Sequence, residues 1–258
     1  MRRPDALCSI WTVSCTWEDT PIPGAVEAVA ELRALGLAMC FVTNTTSRPR
    51  AAIVDRLGRL AFDARDEEVV TSARLAIRRC REQGRERVSL LMADAVKADL
   101  AGLEETDSGV EAVIVGDPGH GFTYEVLNRA FRHLMEGAEL LALQKNRLWL
   151  TPDGLSLDVG PFVAALEYAT RREAFLVGKP SAGFFAAVLD ASVWRPAEAA
   201  MVGDDVESDV DGAQLDGFAG ILVRTGKYRA DVARRSGVHP AVTIDSIADL
   251  PNLLCRGG

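Results

Sequence analysis

The sequence predicts an α/β fold in which a Rossmann-like parallel sheet is flanked by helices and a second, α+β domain is inserted into the chain. Three observations support this. Short apolar runs that end in Gly, Asp, Asn or Lys alternate with amphipathic stretches of helical period. Over a hundred residues with their own alternation separate two of these runs, which is too much for a loop. With 258 residues, 48% of them hydrophobic, the chain can form one large domain or two small ones.

The predicted core begins with a helix at residues 25–35, which ends at Gly36 and places on one face Ala25, Ala28, Val29, Leu32 and Leu35. A strand at 37–42, a polar turn at 43–48 and a helix at about 49–60 follow. Further core strands are predicted at 175–177, 200–202 and 220–223. Because ligands bind beyond the carboxyl ends of parallel strands, the polar residues after these runs are expected to converge in space.

The stretch between these core segments has an alternation of its own. Strands are predicted at 88–92, 110–115, 140–143 and 147–151, and helices at 124–136 and 162–170. We interpret residues 80–173 as an inserted α+β cap domain that selects the substrate, and residues 1–79 and 174–258 as the core. Trp149 and Tyr168 are expected in the interior of the cap. His120, in a Gly-rich turn, is expected to be structural.

Composition restricts the class of partner. Lys and Arg number 29 against 37 Asp and Glu, a formal charge of −8, which argues against nucleic-acid binding and favours a small partner. Five cysteines without a Cys-x-x-Cys pair argue against a disulfide framework or a zinc site, so a reducing, cytoplasmic setting is expected. No run reaches the ~20 apolar residues of a membrane span, so we expect no membrane association.

Two segments are candidates for phosphate binding. Thr43 offers a hydroxyl, and the backbone N–H groups of Asn44 and Thr45 stand just before a helix, where anions bind well. The same run is also an ordinary capped helix start. Lys179 follows a predicted strand and can bind a phosphate as a compact charge. The alternative is a loop lysine exposed to solvent, which would have the same sequence pattern. Lys227 is its rival, and a structural role is expected for it.

Gly203-Asp204-Asp205 with Asp209 is the most specific signal in the chain. Aspartates at the end of a buried strand are unfavourable unless they are paired or bind metal. Mg²⁺ is typically held by one or two carboxylates together with waters and phosphate oxygens. We therefore predict Asp204 as a Mg²⁺ ligand and Asp209 as a carboxylate that orients Asp204 or Lys179. The alternative is a helix N-terminus that carries acidic residues because of its dipole.

Taken together, these motifs resemble the haloacid dehalogenase (HAD) superfamily of aspartyl-phosphate phosphatases, and within it the members with a large α+β (C2-type) cap. The resemblance implies a HAD-type core and cap, Mg²⁺, a covalent aspartyl-phosphate and its release by water. It implies that Lys179 and Asp209 belong to the catalytic machinery, and the large cap suggests a homodimer through the cap. The residues that carry it are Pro21 to Gly24, Phe41 to Thr46, Gly160 to Phe162 with Ala165 to Thr170, Val177 to Pro180, Met201 to Asp205 with Asp209, Gly212 to Gln214, and Arg224 to Tyr228.

The chain departs from the superfamily at its first strand. The resemblance implies Asp-x-Asp-Gly there, in which the first Asp attacks phosphorus and the second protonates the leaving group. Those positions hold Ile10 and Thr12, with Val13 in place of Gly. Because loss of a nucleophile can cost on the order of 10⁶ in rate, the chain as printed is expected to be nearly inactive.

A shifted reading frame would explain this departure. Four lysines against 25 arginines suggest a gene rich in G and C. Back-translated with such codons and read two bases later, residues 7–18 encode Val-Leu-Asp-Leu-Asp-Gly-Val-Leu-Tyr-Val-Gly. Trp11-Thr12 forces an Asp codon in that frame whichever Thr codon is chosen. We therefore interpret residues 1 to about 17 as the product of a wrong frame.

Two functions are predicted. The first is a Mg²⁺-dependent phosphatase of a small phosphorylated molecule, a phospho-amino acid or pyrophosphate, with an altered N-terminus. The second is a catalytically inactive relative that binds phosphate or a partner through Thr43, Lys179 and Asp204. A dinucleotide-binding oxidoreductase is excluded because no Gly-x-Gly-x-x-Gly follows a strand.

Overall fold

A computed structural model describes residues 6–10, 15–17, 20–151, 154–190 and 194–256. The chain divides into two compact units. The first comprises Met1–Thr43, Ala51–Val70 and Lys179–Gly258, and the second comprises Asn44–Arg50 and Thr71–Gly178. The predicted inserted domain, residues 80–173, falls within the second unit, and its limits stay a prediction.

The sheet of the first unit has six strands in the order β15-β14-β13-β1-β4-β5. Strand β1 pairs in parallel with β13 and β4, and β14 pairs in parallel with β13 and β15. The strands are β1 (Ala6–Ile10), β4 (Ala38–Thr43), β5 (Val69–Thr71), β13 (Ala199–Gly203), β14 (Ala219–Val223) and β15 (Val242–Ile244). A two-stranded sheet of β2 (Thr16–Trp17) and β3 (Thr20–Pro21) precedes the first helix.

Helices cover the sheet of the first unit. Helix Ala25–Ala34 buries four residues of the face predicted from its periodicity, namely Ala25, Ala28, Val29 and Leu32. The fifth, Leu35, follows the helix and is half-buried. These side chains share a core with sheet residues such as Phe41, which is fully buried. The other α-helices of this unit are Arg50–Arg59, Ala182–Asp190, Gly212–Leu215, Ala230–Arg235 and Leu250–Arg256. The first residue of helix Arg50–Arg59 is assigned to the second unit. Short 3-10 turns lie at Asp66–Glu68, Pro196–Glu198 and Ile247–Asp249, and a π-helix lies at Val206–Asp211.

The second unit has a parallel sheet of its own, in the order β12-β9-β8-β6-β7. Its strands are β6 (Arg87–Leu91), β7 (Glu104–Glu105), β8 (Ala112–Val115), β9 (Glu139–Ala142) and β12 (Phe175–Leu176). Its helices are Ser72–Glu82, Asp94–Lys97, Tyr124–Met135 and Gly160–Thr170, with 3-10 turns at Ala98–Leu100 and Gly119–Gly121. Fully buried Val113 and Val163 belong to a core distinct from that of the first unit.

The strand at Phe175–Leu176 was expected in the core sheet, and that prediction is wrong. It pairs with β9, so that Phe175 lies opposite Leu141 in the sheet of the second unit. A short apolar run reads the same in either parallel sheet, because strand pairing is non-local and local sequence does not specify it. Lys179 therefore enters the first unit from the end of a strand of the second.

An antiparallel hairpin of β10 (Leu148–Thr151) and β11 (Gly154–Leu157) completes the second unit. A second prediction is wrong here, because Trp149 on β10, which was expected in the interior, is 48% exposed. Tyr168, on the following helix, is 89% exposed. The prediction that both aromatic residues lie in the interior is therefore wrong. In the described part of the chain, no helix is long and apolar enough to cross a membrane.

Candidate active site

The candidate site lies where three neighbouring strands of the first unit end. Thr43 is the last residue of β4 and is 1% exposed, and Gly203 is the last residue of β13. Strand β1 runs between them and ends at Ile10, which pairs with Val42. Since neighbouring strands lie ~4.8 Å apart, the ends of β4 and β13 are roughly 10 Å apart with the end of β1 midway. Ile10 thus occupies the middle of the site.

Lys179 and Asp209 form a buried ion pair. Lys179 Nζ donates to Asp209 Oδ1 at 3.0 Å, and the two side chains are 4% and 3% exposed. The other carboxylate oxygen, Asp209 Oδ2, accepts the backbone N–H of Asp205 at 3.0 Å. Ser208 Oγ donates to Asp209 Oδ1 at 3.3 Å. Both oxygens of Asp209 are therefore engaged within the protein, and the ammonium of Lys179 is held at one place.

Asp204 follows β13 directly and is 2% exposed. Its Oδ2 accepts the backbone N–H of Lys227 at 2.5 Å. Gly226, the residue before Lys227, has φ = 63°, a left-handed conformation that glycine adopts without strain. The loop after β14 thus orients the carboxylate of Asp204 through its backbone, while the side chain of Lys227 is exposed.

Burial controls the acid–base properties of both carboxylates. Loss of hydration on burial, together with the nearby charge of Asp209, raises the pKa of Asp204 to about 7, and the N–H of Lys227 opposes this shift. Burial also raises the pKa of Asp209, although the ammonium of Lys179 acts in the opposite direction. A buried carboxylate whose pKa is raised in this way is stabilised as an anion when a cation lies beside it.

The described residues match the donor set of a Mg²⁺ site only in part. Asp204 is a suitable hard oxygen ligand at a strand end, whereas the oxygens of Asp209 are engaged by Lys179 and Asp205. Within residues 6–10, 15–17, 20–151, 154–190 and 194–256, no group of three or more His, Cys, Asp or Glu side chains could hold a metal ion. Among the described residues of the predicted site, Asp204 is therefore the candidate metal ligand, and Ile10 ends the strand β1 beside it in the sheet.

The remaining predicted site residues have different positions. Asn44 and Thr45 belong to the second unit, although Asn44 directly follows Thr43 in the chain. Thr12 lies outside the described residues. His120 is exposed in the 3-10 turn Gly119–Gly121.

Two features of the site were missed by sequence reasoning. One is the backbone N–H of Lys227 at Asp204, which no side-chain pattern reveals; the available signal was the Thr-Gly pair before Lys227. The other is the close packing at Gly212, where a Cβ would lie 2.7 Å from Pro180 Cβ. Gly212 is among the residues that carry the family resemblance, but the sequence does not show which segment it approaches.

Comparison with known proteins agrees with this arrangement. A family model described as "Haloacid dehalogenase-like hydrolase" matches residues 10–104, and a second, HAD-hydrolase-like model matches residues 176–250. The chain is 44% identical over 229 residues to haloacid dehalogenase-like hydrolase domain-containing protein 2 of Pongo abelii, covering 89% of this chain and 87% of that protein. It is 39% identical over 239 residues to the human phospholysine phosphohistidine inorganic pyrophosphate phosphatase, covering 92% and 87%.

A solved structure shows the same fold. The p-nitrophenyl phosphatase from Archaeoglobus fulgidus superposes with a TM-score of 0.90 at 26% identity, covering 97% of this chain and 99% of that one. The two parallel sheets, the ion pair beyond the core strands and the extended similarity to curated relatives agree with one another. The chain therefore belongs to the haloacid dehalogenase-like hydrolase family.

Proposed function

We propose that this protein is a Mg²⁺-dependent phosphatase of small phosphorylated molecules, and that residues 1 to about 17 of the printed chain replace a segment carrying Asp-x-Asp-Gly. One observation carries the proposal. Ile10 ends the strand between β4 and β13, so an Asp at this position would stand midway between Thr43 and Asp204. This position, which holds an aliphatic residue, ends the strand between those that end at Thr43 and Gly203.

Each described residue has a role that its environment supports. The buried hydroxyl of Thr43 and the ammonium of Lys179 would bind equatorial oxygens of the phosphoryl group. Asp209 holds Lys179 in position through the 3.0 Å bond. The backbone N–H groups of Asn44 and Thr45 would add further donors.

Asp204 would be the protein ligand of Mg²⁺, with the restored carboxylates completing the donor set. When bound, the ion would neutralise charge on the phosphoryl oxygens. The raised pKa of Asp204 supports this role, because a cation would relieve the burial of its negative charge. Mg²⁺ should therefore raise the melting temperature of a chain with Asp-x-Asp-Gly more than that of the printed chain.

The experiment compares three proteins: the printed chain, a chain with Val-Leu-Asp-Leu-Asp-Gly restored in the first strand, and the restored chain with Asn at its first Asp. Release of p-nitrophenol from p-nitrophenyl phosphate is measured with and without Mg²⁺. We expect Mg²⁺-dependent turnover in the restored chain only, at a rate on the order of 10⁶ above the other two. The Asn control separates loss of the nucleophile from disruption of the strand.

A catalytically inactive relative is the second candidate, and the position of Ile10 at the end of β1 favours it. Its expected result is a restored chain that is as inactive as the printed one, while both bind inorganic phosphate in calorimetry. Resequencing the first hundred or so bases of the gene tests the frame directly. A single frame whose codons do not yield Asp-x-Asp-Gly when shifted would exclude the frameshift.

Two further parts of the proposal concern the setting of the protein. We propose a homodimer through the second unit, and the exposed leucines of its hairpin support this: Leu155 is 72% exposed and Leu157 is 65% exposed. The cytoplasmic location stays a prediction. Phospho-amino acids and pyrophosphate remain the proposed substrate classes, and the phosphohistidine, phospholysine and pyrophosphate in a relative's name support them.

A further inference from the structure

Two of the points at which the chain passes between the units lie against each other. The chain leaves the first unit between Thr43 and Asn44 and returns to it between Gly178 and Lys179. Asn44 and Gly178, which are 134 positions apart in sequence, are in contact within the second unit. Each is the direct neighbour of a residue proposed to bind phosphate.

The contact leaves no space for a side chain at position 178. A Cβ on Gly178 would lie 2.3 Å from the backbone oxygen of Leu143 and 2.7 Å from Oδ1 of Asn44, closer than real Cβ atoms approach other heavy atoms. The Leu143 oxygen cannot easily move, because Leu143 is fully buried and its N–H bonds to the oxygen of Val115 at 2.9 Å. Glycine at 178 therefore lets the side chain of Asn44 lie on the backbone of the returning segment.

The segment after Asn44 is packed in a similar way at a second place. A Cβ on Gly116, which follows β8, would lie 3.4 Å from Cβ of Thr46 and 3.2 Å from Cβ of Met92. Thr46 is 3% exposed. Asn44 and Thr46 thus each pack against a glycine backbone of the second unit.

We propose that Asn44 and Gly178 form a clasp that positions Thr43 and Lys179 together, an inference that rests on the proposed phosphatase function. The Cα atoms of Thr43 and Lys179 lie ~3.8 Å from those of their chain neighbours Asn44 and Gly178. A displacement of the clasp would therefore displace Thr43 and Lys179 as well. Asn44 is then a positioning residue, because its side chain acts on the backbone of Gly178. Gly178 is required because any larger residue separates the two segments.

The first test needs no activity. Hydrogen–deuterium exchange is measured on the printed chain and on Gly178→Ala, with Gly183→Ala as matched control, since a Cβ on Gly183 meets no atom within 4 Å. We expect the amides of residues 40–46 and 175–181 to exchange about tenfold faster in Gly178→Ala, and those of the control to stay unchanged. Faster exchange in residues 175–181 alone would overturn the clasp.

Asn44→Ala keeps the test decisive where Gly178→Ala does not fold. This variant adds no atoms, and the clasp requires it to accelerate exchange at residues 175–181, far away in sequence. An effect confined to the loop around residue 44 would contradict the proposal.

The second test separates the clasp from the proposed function. In the chain with Asp-x-Asp-Gly restored, Gly178→Ala and Asn44→Ala should raise KM for p-nitrophenyl phosphate and Ki for inorganic phosphate about tenfold, with a smaller change in kcat, and Gly183→Ala should match its parent. If the restored chain is inactive while the exchange result holds, the phosphatase proposal fails and the clasp stands. If it is active and both variants match their parent, the positioning role is refuted.

Discussion

The buried pair of Lys179 and Asp209 predicts a large stability loss on Lys179→Met. Methionine has nearly the volume of lysine, so the change removes the charge and leaves packing similar. Asp209, with 3% of its side chain exposed, would then lose the cation at 3.0 Å and must either stay charged without it or take up a proton. Removing one partner of such a pair costs about 3–5 kcal/mol, a large part of the 5–15 kcal/mol by which domains are stable.

Urea denaturation followed by circular dichroism measures this loss, and a second pair in the chain supplies the control. Lys97 donates to Glu105 at 2.7 Å, but these side chains are 30% and 47% exposed. Lys97→Met should therefore change stability by about 1 kcal/mol or less. The double variant Lys179→Met, Asp209→Asn should be more stable than the sum of the two single changes predicts, by about 2 kcal/mol.

The pH dependence distinguishes a lost ion pair from lost packing. Burial raises the pKa of Asp209 above its ordinary value of 3.8, and removing Lys179 raises it further. The folded state then holds a proton that the unfolded state releases above about pH 4, so the loss caused by Lys179→Met grows as pH rises. A loss below about 1 kcal/mol at pH 7.5, or the same loss at pH 5 and pH 8, would refute this reasoning.

Three other changes have defined outcomes. Because burial raises the pKa of Asp204 to about 7, the parent should lose stability by up to about 1.4 kcal/mol per pH unit between pH 4.5 and 7. Asp204→Asn should reduce this pH dependence of the unfolding free energy, measured by urea titration. Equal slopes in parent and variant would contradict the effect of burial. Gly212→Ala should destabilise the protein by about 1–3 kcal/mol, because its Cβ would overpack against Pro180 and Phe185, whereas Gly183→Ala should not. Similar melting temperatures of the two variants would contradict this packing. If the proposed dimer forms through the hairpin, Leu155→Lys should give a monomer by light scattering. The control Leu215→Lys, at a 78% exposed site of the first unit, should leave the dimer intact. A monomeric parent would rule out the dimer.

The helices and the strand ends of the core could be predicted because their signals are local. The face of helix Ala25–Ala34 follows from apolar residues at helical spacing, and its predicted limits differ by one residue from those observed. Asp204 was placed at the end of a strand because a short apolar run precedes it, and β13 ends at Gly203. Neither inference needs to know which segment pairs with which.

The failures concern non-local partners. Phe175 and Leu176 form a strand of the expected kind, but only three-dimensional pairing decides which sheet receives it. Trp149 lies within the apolar run Leu148 to Leu150, which is typical of a buried strand, yet its strand belongs to a two-stranded hairpin. The N–H of Lys227 at Asp204 is a backbone contact across 23 positions. Such contacts have no periodicity, so a single sequence does not reveal them.

The energetics of Asp204 bear on whether Ile10 is genuine. A carboxylate that is 2% exposed, with its pKa raised to about 7, reduces stability at neutral pH unless a cation lies beside it. If Ile10 belongs to the functional protein and no cation binds, Asp204→Asn should stabilise the chain at neutral pH, because it removes a buried negative charge. If the frame is shifted, the same substitution in the restored chain should abolish Mg²⁺-dependent turnover. Because buried charges concentrate at functional sites, the two outcomes of Asp204→Asn separate a genuine Ile10 from a shifted frame.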